Sequence, residues 1–364
     1  MTENPRASAR AMTASVRSAG QRTLESLALA LGAIAFVVVG LIAIPVFGLD
    51  DAPIAGEGSV GQFAAISSGA TALVAFGAGR GVAFLRSGEK RFGLFDYVDA
   101  AALALAHGII AVLSWTLLAV ILDRAFIDAQ VFALPVLVLS GTAAAVTAYL
   151  VFASATHLDA SLLALILAAF LGEGILAAML TANDPHWWRD NLSALGMTED
   201  MSGMTFNITL ILGGFLVTTL ARYATRGIPT THVRGILAVR ICLIVIGVFL
   251  ACVGIFPVNQ FWALHTGSAA GMAVTFGVLV VMLRHWVPGI PATFALLGWI
   301  FFGVLVVLGI EYAIGYYTLT AVELVGAVLL FAWIVMFIRN IAALQSDAAP
   351  GLREGAPPAL ASVP

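Results

Sequence analysis

The sequence SLALALGAIAFVVVGLIAIPVFG, residues 26–48, contains no charged residue and is long enough to cross a bilayer. A helix rises about 1.5 Å per residue, so about 20 apolar residues span a hydrocarbon core of about 30 Å. The run is longer than the apolar core of a signal peptide, and no clear small-residue cleavage site follows it. It therefore predicts a retained first membrane span.

Similar apolar runs recur along the whole chain. The composition agrees with a bilayer location, because 61% of the residues are hydrophobic and only 10% are charged, too few to cover a soluble globule. The sequence therefore predicts an all-α, polytopic membrane protein with about ten transmembrane helices. The predicted spans lie near 26–48, 62–86, 97–122, 131–155, 159–181, 203–222, 236–257, 262–284, 291–311 and 318–341.

The basic residues predict the orientation, because Lys and Arg accumulate in cytoplasmic loops. An even number of spans places both termini on the same side. Of the 17 Lys and Arg residues, only Arg124 and Arg189 fall on the opposite side. The sequence therefore predicts a multi-pass protein of the cell membrane with both termini in the cytoplasm, N-in and C-in.

Four segments follow from this topology. Residues 1–24 and 343–364 have little to bury and are expected to be disordered cytoplasmic tails. Pro350 and the prolines after it predict that the last helix ends before about Ser346. Residues 25–158 are expected to form a four-helix membrane unit, and residues 159–342 a six-helix membrane domain with an outward loop at 182–202.

The sequence of the second predicted span is similar to that of the eighth. Residues 62–86 align without a gap on residues 260–284, and ten of the 25 positions are identical. Because both spans run from outside to inside, this match indicates a parallel internal repeat of spans 1–4 in spans 7–10. The alternative is a shared Ala- and Gly-rich composition, which lets helices pack closely.

The outward loop holds the densest cluster of polar and aromatic residues, DPHWWRDNLSALG, residues 184–196. Tryptophan rings favour the headgroup level of a membrane, so the loop could be an interfacial anchor. The planar guanidinium of Arg189 also matches a phosphate or carboxylate, which favours a headgroup or anion site. The ligand-binding candidates are Glu173, His186, Trp187, Trp188, Arg189, Asp190, Asn191, Ser193, Asn207 and His265.

Several intramembrane residues could meet this loop. His265, Glu311 and Glu323 lie in the outer halves of their predicted spans. A buried charge such as Glu173 marks either a functional site or a structural hydrogen bond.

Together with His186, Asp190 and His265, the carboxylate of Glu173 would suffice as an acid–base set or as a metal site. No short ligand spacing such as HExxH occurs, so no metal or other cofactor is predicted, and catalytic residues stay unassigned.

The segment from about 159 to 341 resembles the multi-pass prokaryotic membrane proteins of domain-of-unknown-function family 998. The resemblance lies in HWW at 186–188, NLSALG at 191–196, FN at 206–207, GIFP at 254–257 and His265. The segment is also distantly similar to the Frag1/DRAM/Sfk1 type of membrane protein. The resemblance implies a six-helix unit with an outward-facing polar pocket beneath the loop, but it does not indicate which activity the protein has.

Three hypotheses follow for the function. The first is binding or transport of a lipid or lipid-linked headgroup at that pocket. The alternatives are an intramembrane hydrolase acting on a lipid-type substrate, and a non-catalytic assembly partner for other membrane proteins. Membrane lipids, and a lipid or small-molecule ligand, are the expected partners. Nucleic acid is not an expected partner, because the sequence has no row of basic residues that could neutralise phosphates. The oligomeric state does not follow from the sequence.

Overall fold

The computed structural model describes residues 20–87, 93–225 and 232–354. Ten helices within these ranges are long and apolar enough to cross a membrane. The prediction of an all-α, multi-pass membrane protein with ten spans is therefore confirmed. The side on which the termini lie, and the internal repeat, stay predictions.

Helices make up most of the described residues, which also contain one short antiparallel ribbon and two 3₁₀ turns. The ribbon pairs β1 with β2, with Ala52 opposite Val131. The elements are α1 (Gln21–Phe47), β1 (Ala52–Pro53), α2 (Val60–Ser87), α3 (Leu94–Ala125), β2 (Gln130–Val131), α4 (Ala133–Thr156), α5 (Ala160–Thr181), the 3₁₀ turns Trp187–Arg189 and Leu192–Met197, α6 (Met201–Ala224), α7 (Val233–Ile255), α8 (Trp262–Trp286), α9 (Ala292–Ala313) and α10 (Leu319–Glu354).

The helices at the two ends of the chain are longer than the sequence predicts. The first begins at Gln21 and the last continues to Glu354, so residues 21–24 and 343–354 are helical and the predicted end near Ser346 is wrong. Ala348 and Ala349 favour a helix. Pro350 lacks an N–H donor, and a proline inside a helix can kink the helix without ending it. The remaining residues of the predicted tails, 1–19 and 355–364, lie outside the described residues.

The described chain forms two compact units. Unit 1 contains residues 20–158 and 172–177, and unit 2 contains residues 159–171 and 178–354. Helix α5 contributes to both units. The loop that carries most of the candidate residues belongs to unit 2.

Unit 1 is held together by close approach of small residues. A Cβ atom added at Gly141 of α4 would lie 2.8 Å from the carbonyl oxygen of Phe36 in α1. One added at Gly79 of α2 would lie 2.7 Å from the Ala155 Cβ of α4. Without a hydrophobic driving force in lipid, helices associate through such close packing.

Unit 2 is also held together by close approach of small residues, and in addition by a stack of aromatic rings. Helices α6 and α7 touch where a Cβ at Gly214 would lie 2.4 Å from the carbonyl oxygen of Gly247. The fully buried ring of Trp333 in α10 stacks on Phe294 and Phe337 at centroid distances of 5.2 and 5.4 Å. These contacts join α6 to α7 and α9 to α10.

Candidate functional site

The loop between α5 and α6 is closed at its base by Asp200. This residue caps α6 by accepting the backbone N–H of Gly203 at 3.0 Å, and it also accepts Asn183 Nδ2 at 2.5 Å and the Thr198 hydroxyl at 2.6 Å. The Thr198 hydroxyl, followed by the Gly203 N–H, lowers the pKa of the Asp200 carboxyl below its ordinary value. The two ends of the loop are thereby tied together.

The second 3₁₀ turn of the loop, Leu192–Met197, is buried from Leu192 to Gly196 and packs against α6 at Gly196. The side-chain amide of Asn207 in α6 donates to the carbonyl oxygen of Gly196 at 3.0 Å. A Cβ at Gly196 would lie 2.5 Å from Asn207 Oδ1 and 2.8 Å from the ring of Phe206. Asn207, a predicted ligand-binding residue, therefore holds the backbone of the loop.

Three polar side chains from distant parts of the chain meet under this turn. His265 Nε2 lies 3.0 Å from Ser193 Oγ, and Glu323 Oε1 lies 3.2 Å from the same oxygen. His265 and Ser193 are buried, with 4% and 7% of their surfaces exposed, and Glu323 is half-buried. We call these three residues the Ser193 cluster.

A backbone carbonyl determines which nitrogen of His265 carries a proton. His265 Nδ1 lies 2.8 Å from the carbonyl oxygen of Phe256, which can only accept, so Nδ1 is the donor. The Ser193 hydroxyl has one proton for its two neighbours, Nε2 and Oε1. One neighbour must therefore donate to Oγ while the other accepts.

Two proton arrangements satisfy every contact of the Ser193 cluster. In the first, protonated His265 donates to Ser193, which donates to the Glu323 carboxylate. In the second, Ser193 donates to neutral His265, and neutral Glu323 donates to Ser193. Both arrangements carry no net charge, which suits burial, because an unpaired charge away from water is costly.

The backbone around Ser193 also binds the carboxyl of Glu323. The N–H of Leu192 donates to Oε2 at 2.6 Å, and the N–H of Ser193 approaches the same atom at 3.4 Å. Two adjacent N–H groups thus point to one oxygen position. This arrangement is a cradle for an oxygen that carries negative charge.

Most of the remaining residues of the loop are exposed. Trp188 is exposed, and the Arg189 guanidinium lies 5.5 Å from the centre of its ring, within the range of a cation–π contact. No described residue forms an ion pair or a hydrogen bond with that guanidinium. The backbone beneath is fixed, because Thr320 of α10 donates to the carbonyl oxygen of Trp188 at 2.7 Å.

His186, Asp190 and Asn191 do not join the Ser193 cluster. His186 is exposed. Its backbone N–H donates to Asp184 Oδ1 at 2.7 Å, and its ring nitrogen Nδ1 lies 3.8 Å from the same oxygen. Asp190 is exposed, and Trp187 is half-buried in the first 3₁₀ turn. The side-chain oxygen of Asn191 is buried and accepts no hydrogen bond from a described residue.

Glu173 lies in unit 1, where it has a different partner. The Ser114 hydroxyl of α3 lies 3.0 and 3.1 Å from its two carboxyl oxygens. The hypothesis that Glu173, His186, Asp190 and His265 form one acid–base or metal set therefore has no support in their contacts. Within the part of the chain that the structure describes, no group of three His, Cys, Asp or Glu residues could hold a metal ion.

Sequence reasoning named His265 and Glu323 as residues that could meet the loop, and both contact Ser193. It missed three others: Ser114, Thr320 and the carbonyl oxygen of Phe256. Serines and threonines are frequent in membrane helices, and a backbone carbonyl has no signature in the sequence. No pattern marked these partners.

The segment that carries the loop also has a family match. Residues 162–340 match the model of a family described as "Protein of unknown function (DUF998)". The chain is therefore similar to this family over just under half of its length. The match agrees with the resemblance at HWW, NLSALG and GIFP, whereas the distant similarity to the Frag1/DRAM/Sfk1 type stays a prediction. Neither the curated proteins nor the solved structures gave a significant match.

Proposed function

We propose that unit 2 binds the anionic headgroup of a membrane lipid at the loop, with Arg189 as the cationic contact. The observation that carries this proposal is the Arg189 guanidinium, which lies over the Trp188 ring without an acidic partner among the described residues. Arginine presents a planar set of donors that matches a phosphate. A side chain already ordered by an aromatic ring loses less conformational entropy on binding.

The surroundings of Arg189 favour a lipid over a soluble anion. The contacts of His265 with Ser193 and of Thr320 with Trp188 place the loop at the end of unit 2 where α8 and α10 begin. Exposed aromatic rings are frequent at this end, as they are where proteins meet lipid headgroups. They belong to Trp188, Phe261, Trp262, Tyr312, Tyr316 and Tyr317.

The other candidate residues would take different parts in binding. The unpaired side-chain oxygen of Asn191 can accept a hydrogen bond from a headgroup hydroxyl or ammonium. Ser193, Asn207 and His265 hold the loop in place through the bonds described above. Binding is the step that this geometry supports; it offers no observation that favours transport or an assembly role.

Native mass spectrometry of protein released from mixed phosphatidylglycerol and phosphatidylcholine vesicles tests the proposal. We expect Arg189→Ala to lower the retention of phosphatidylglycerol about tenfold, because a hydrogen bond to a charged group contributes about 1.5–3 kcal/mol. Arg124→Ala is the matched control: Arg124 is also an exposed arginine close to the end of a membrane helix, α3 of unit 1. Equal retention of phosphatidylglycerol by wild type and Arg189→Ala would refute the proposed function.

A further inference from the structure

We propose that Ser193 is a nucleophile, activated by His265, that accepts the acyl group of a lipid ester. The proposal depends on the proposed function only for the class of substrate, since the loop that binds the headgroup also carries Ser193. It concerns a reaction, which lipid binding by itself does not require.

The first argument is the geometry of Ser193 and His265. A nucleophile and its base are recognised by a hydrogen bond between them and by a third group that orients the base. Ser193 Oγ lies 3.0 Å from His265 Nε2, and the carbonyl oxygen of Phe256 holds Nδ1 at 2.8 Å. This leaves Nε2 as the atom that accepts the Ser193 proton in the second proton arrangement.

The second argument is the cradle beside Ser193. A tetrahedral intermediate of acyl transfer carries a negative oxygen, which backbone N–H groups stabilise. The N–H groups of Leu192 and Ser193 already point to a single oxygen, that of Glu323. The substrate oxygen would take this position once the flexible Glu323 side chain turns away.

The third argument is a comparison with a similar pair in unit 1. His107 Nε2 lies 2.9 Å from Ser154 Oγ, and its Nδ1 lies 2.7 Å from the carbonyl oxygen of Leu103. Ser154 lies within helix α4, where the neighbouring N–H groups are used by the helix. The pair at Ser154 thus has a nucleophile and a base but no cradle, which makes it an internal control.

The reaction balances with water as the second reactant. Ser193 Oγ bonds to the ester carbonyl carbon while His265 Nε2 takes the hydroxyl proton. The bond from that carbon to the alcohol oxygen breaks, and the alcohol leaves with the proton from His265. Water then attacks the acyl-serine with His265 as the base, which releases a fatty acid and restores Ser193.

Substrate access requires the turn Leu192–Met197 to move, because Ser193 is buried. A 3₁₀ turn has poorer hydrogen-bond geometry than an α-helix. Its hydrogen bonds to α10 are those to Glu323, and the neighbouring turn Trp187–Arg189 is joined to α10 by the bond from Thr320 to Trp188.

An alkyl fluorophosphonate probe tests the nucleophile directly. The probe reacts when a serine oxygen bonds to phosphorus and fluoride leaves, and peptide mass spectrometry then locates the label. In full-length protein reconstituted in nanodiscs, we expect the label on Ser193 and its loss in Ser193→Ala. His265→Ala should slow the labelling at least 100-fold, the lower end of the usual contribution of a general base.

Two outcomes would overturn the assignment. One is the absence of label on Ser193 in the wild-type protein, a result that does not depend on the folding of any variant. The other is equal labelling of Ser154, because the probe would then report any serine that is paired with a histidine. The probe carries no lipid headgroup and its label is located on Ser193, whereas the phosphatidylglycerol assay measures binding at Arg189, so a failure of headgroup binding and a failure of the nucleophile are distinguishable.

Discussion

Gly196 shows how a single residue decides the shape of the loop. Its backbone lies against Asn207 and Phe206 of α6, and no side chain fits between them. The glycine is therefore required for close approach between the turn and the helix. The sequence predicts a loop at this position, but it does not show which helix the loop contacts.

We expect Gly196→Ala to lower the stability of unit 2. The added Cβ would overlap Asn207 Oδ1 at 2.5 Å, and overpacking a buried position costs about 1–3 kcal/mol. Thermal unfolding in detergent, followed by tryptophan fluorescence, measures the effect. Gly172→Ala is the control, because a Cβ there meets nothing within 4 Å, and its unfolding temperature should be unchanged or slightly higher. Equal unfolding temperatures for the two variants would contradict the prediction.

At the scale of elements, the loop is held by the ends of helices. Helix α6 begins at the Asp200 cap, α8 brings His265, and α10 brings Thr320 and Glu323. A helix start has unpaired N–H groups that a carboxylate satisfies, so an Asp at such a position is recognisable in a sequence. The contacts from α8 and α10 join residues more than 70 positions apart, and no local pattern predicts them.

The Asp200 cap predicts a pH dependence of stability. Its pKa is lowered in the folded protein, first by the Thr198 hydroxyl, so the carboxylate stabilises the fold above its unfolded pKa of about 4. This contribution is lost as the pH falls from about 4 through the lower, folded pKa. We expect Asp200→Asn to unfold at a lower temperature than wild type at pH 7, with the difference narrowing towards pH 3.

Thr198→Val serves as the control for this experiment. It removes the main cause of the lowered pKa but leaves the cap bond to Gly203. Its unfolding temperature at pH 7 should lie between those of wild type and Asp200→Asn. A difference between wild type and Asp200→Asn that stays constant from pH 7 to pH 3 would show that the carboxylate charge has no such effect.

At the scale of the whole molecule, the ten membrane helices could be predicted because hydrophobic length is a local property of the chain. The partner of Glu173 could not be predicted from the sequence, because Ser114 lies 59 residues away and has no distinctive neighbours. The Ser193 cluster was predictable only in part. A carboxyl and a histidine in membrane helices are costly enough to suggest a partner, but the sequence does not say which residue pairs with which.

The orientation predicted from the even number of spans and the position of the basic residues can be tested with introduced cysteines. In a background with Cys242 and Cys252 replaced by Ala, a membrane-impermeant maleimide should label His186→Cys in intact cells, because His186 is exposed on a loop that is predicted to lie outside. Gly20→Cys, directly before α1, should be labelled only after the membrane is permeabilised. If intact cells label Gly20→Cys but not His186→Cys, the orientation is the opposite of the predicted one. This result would also place the proposed headgroup site in the inner leaflet.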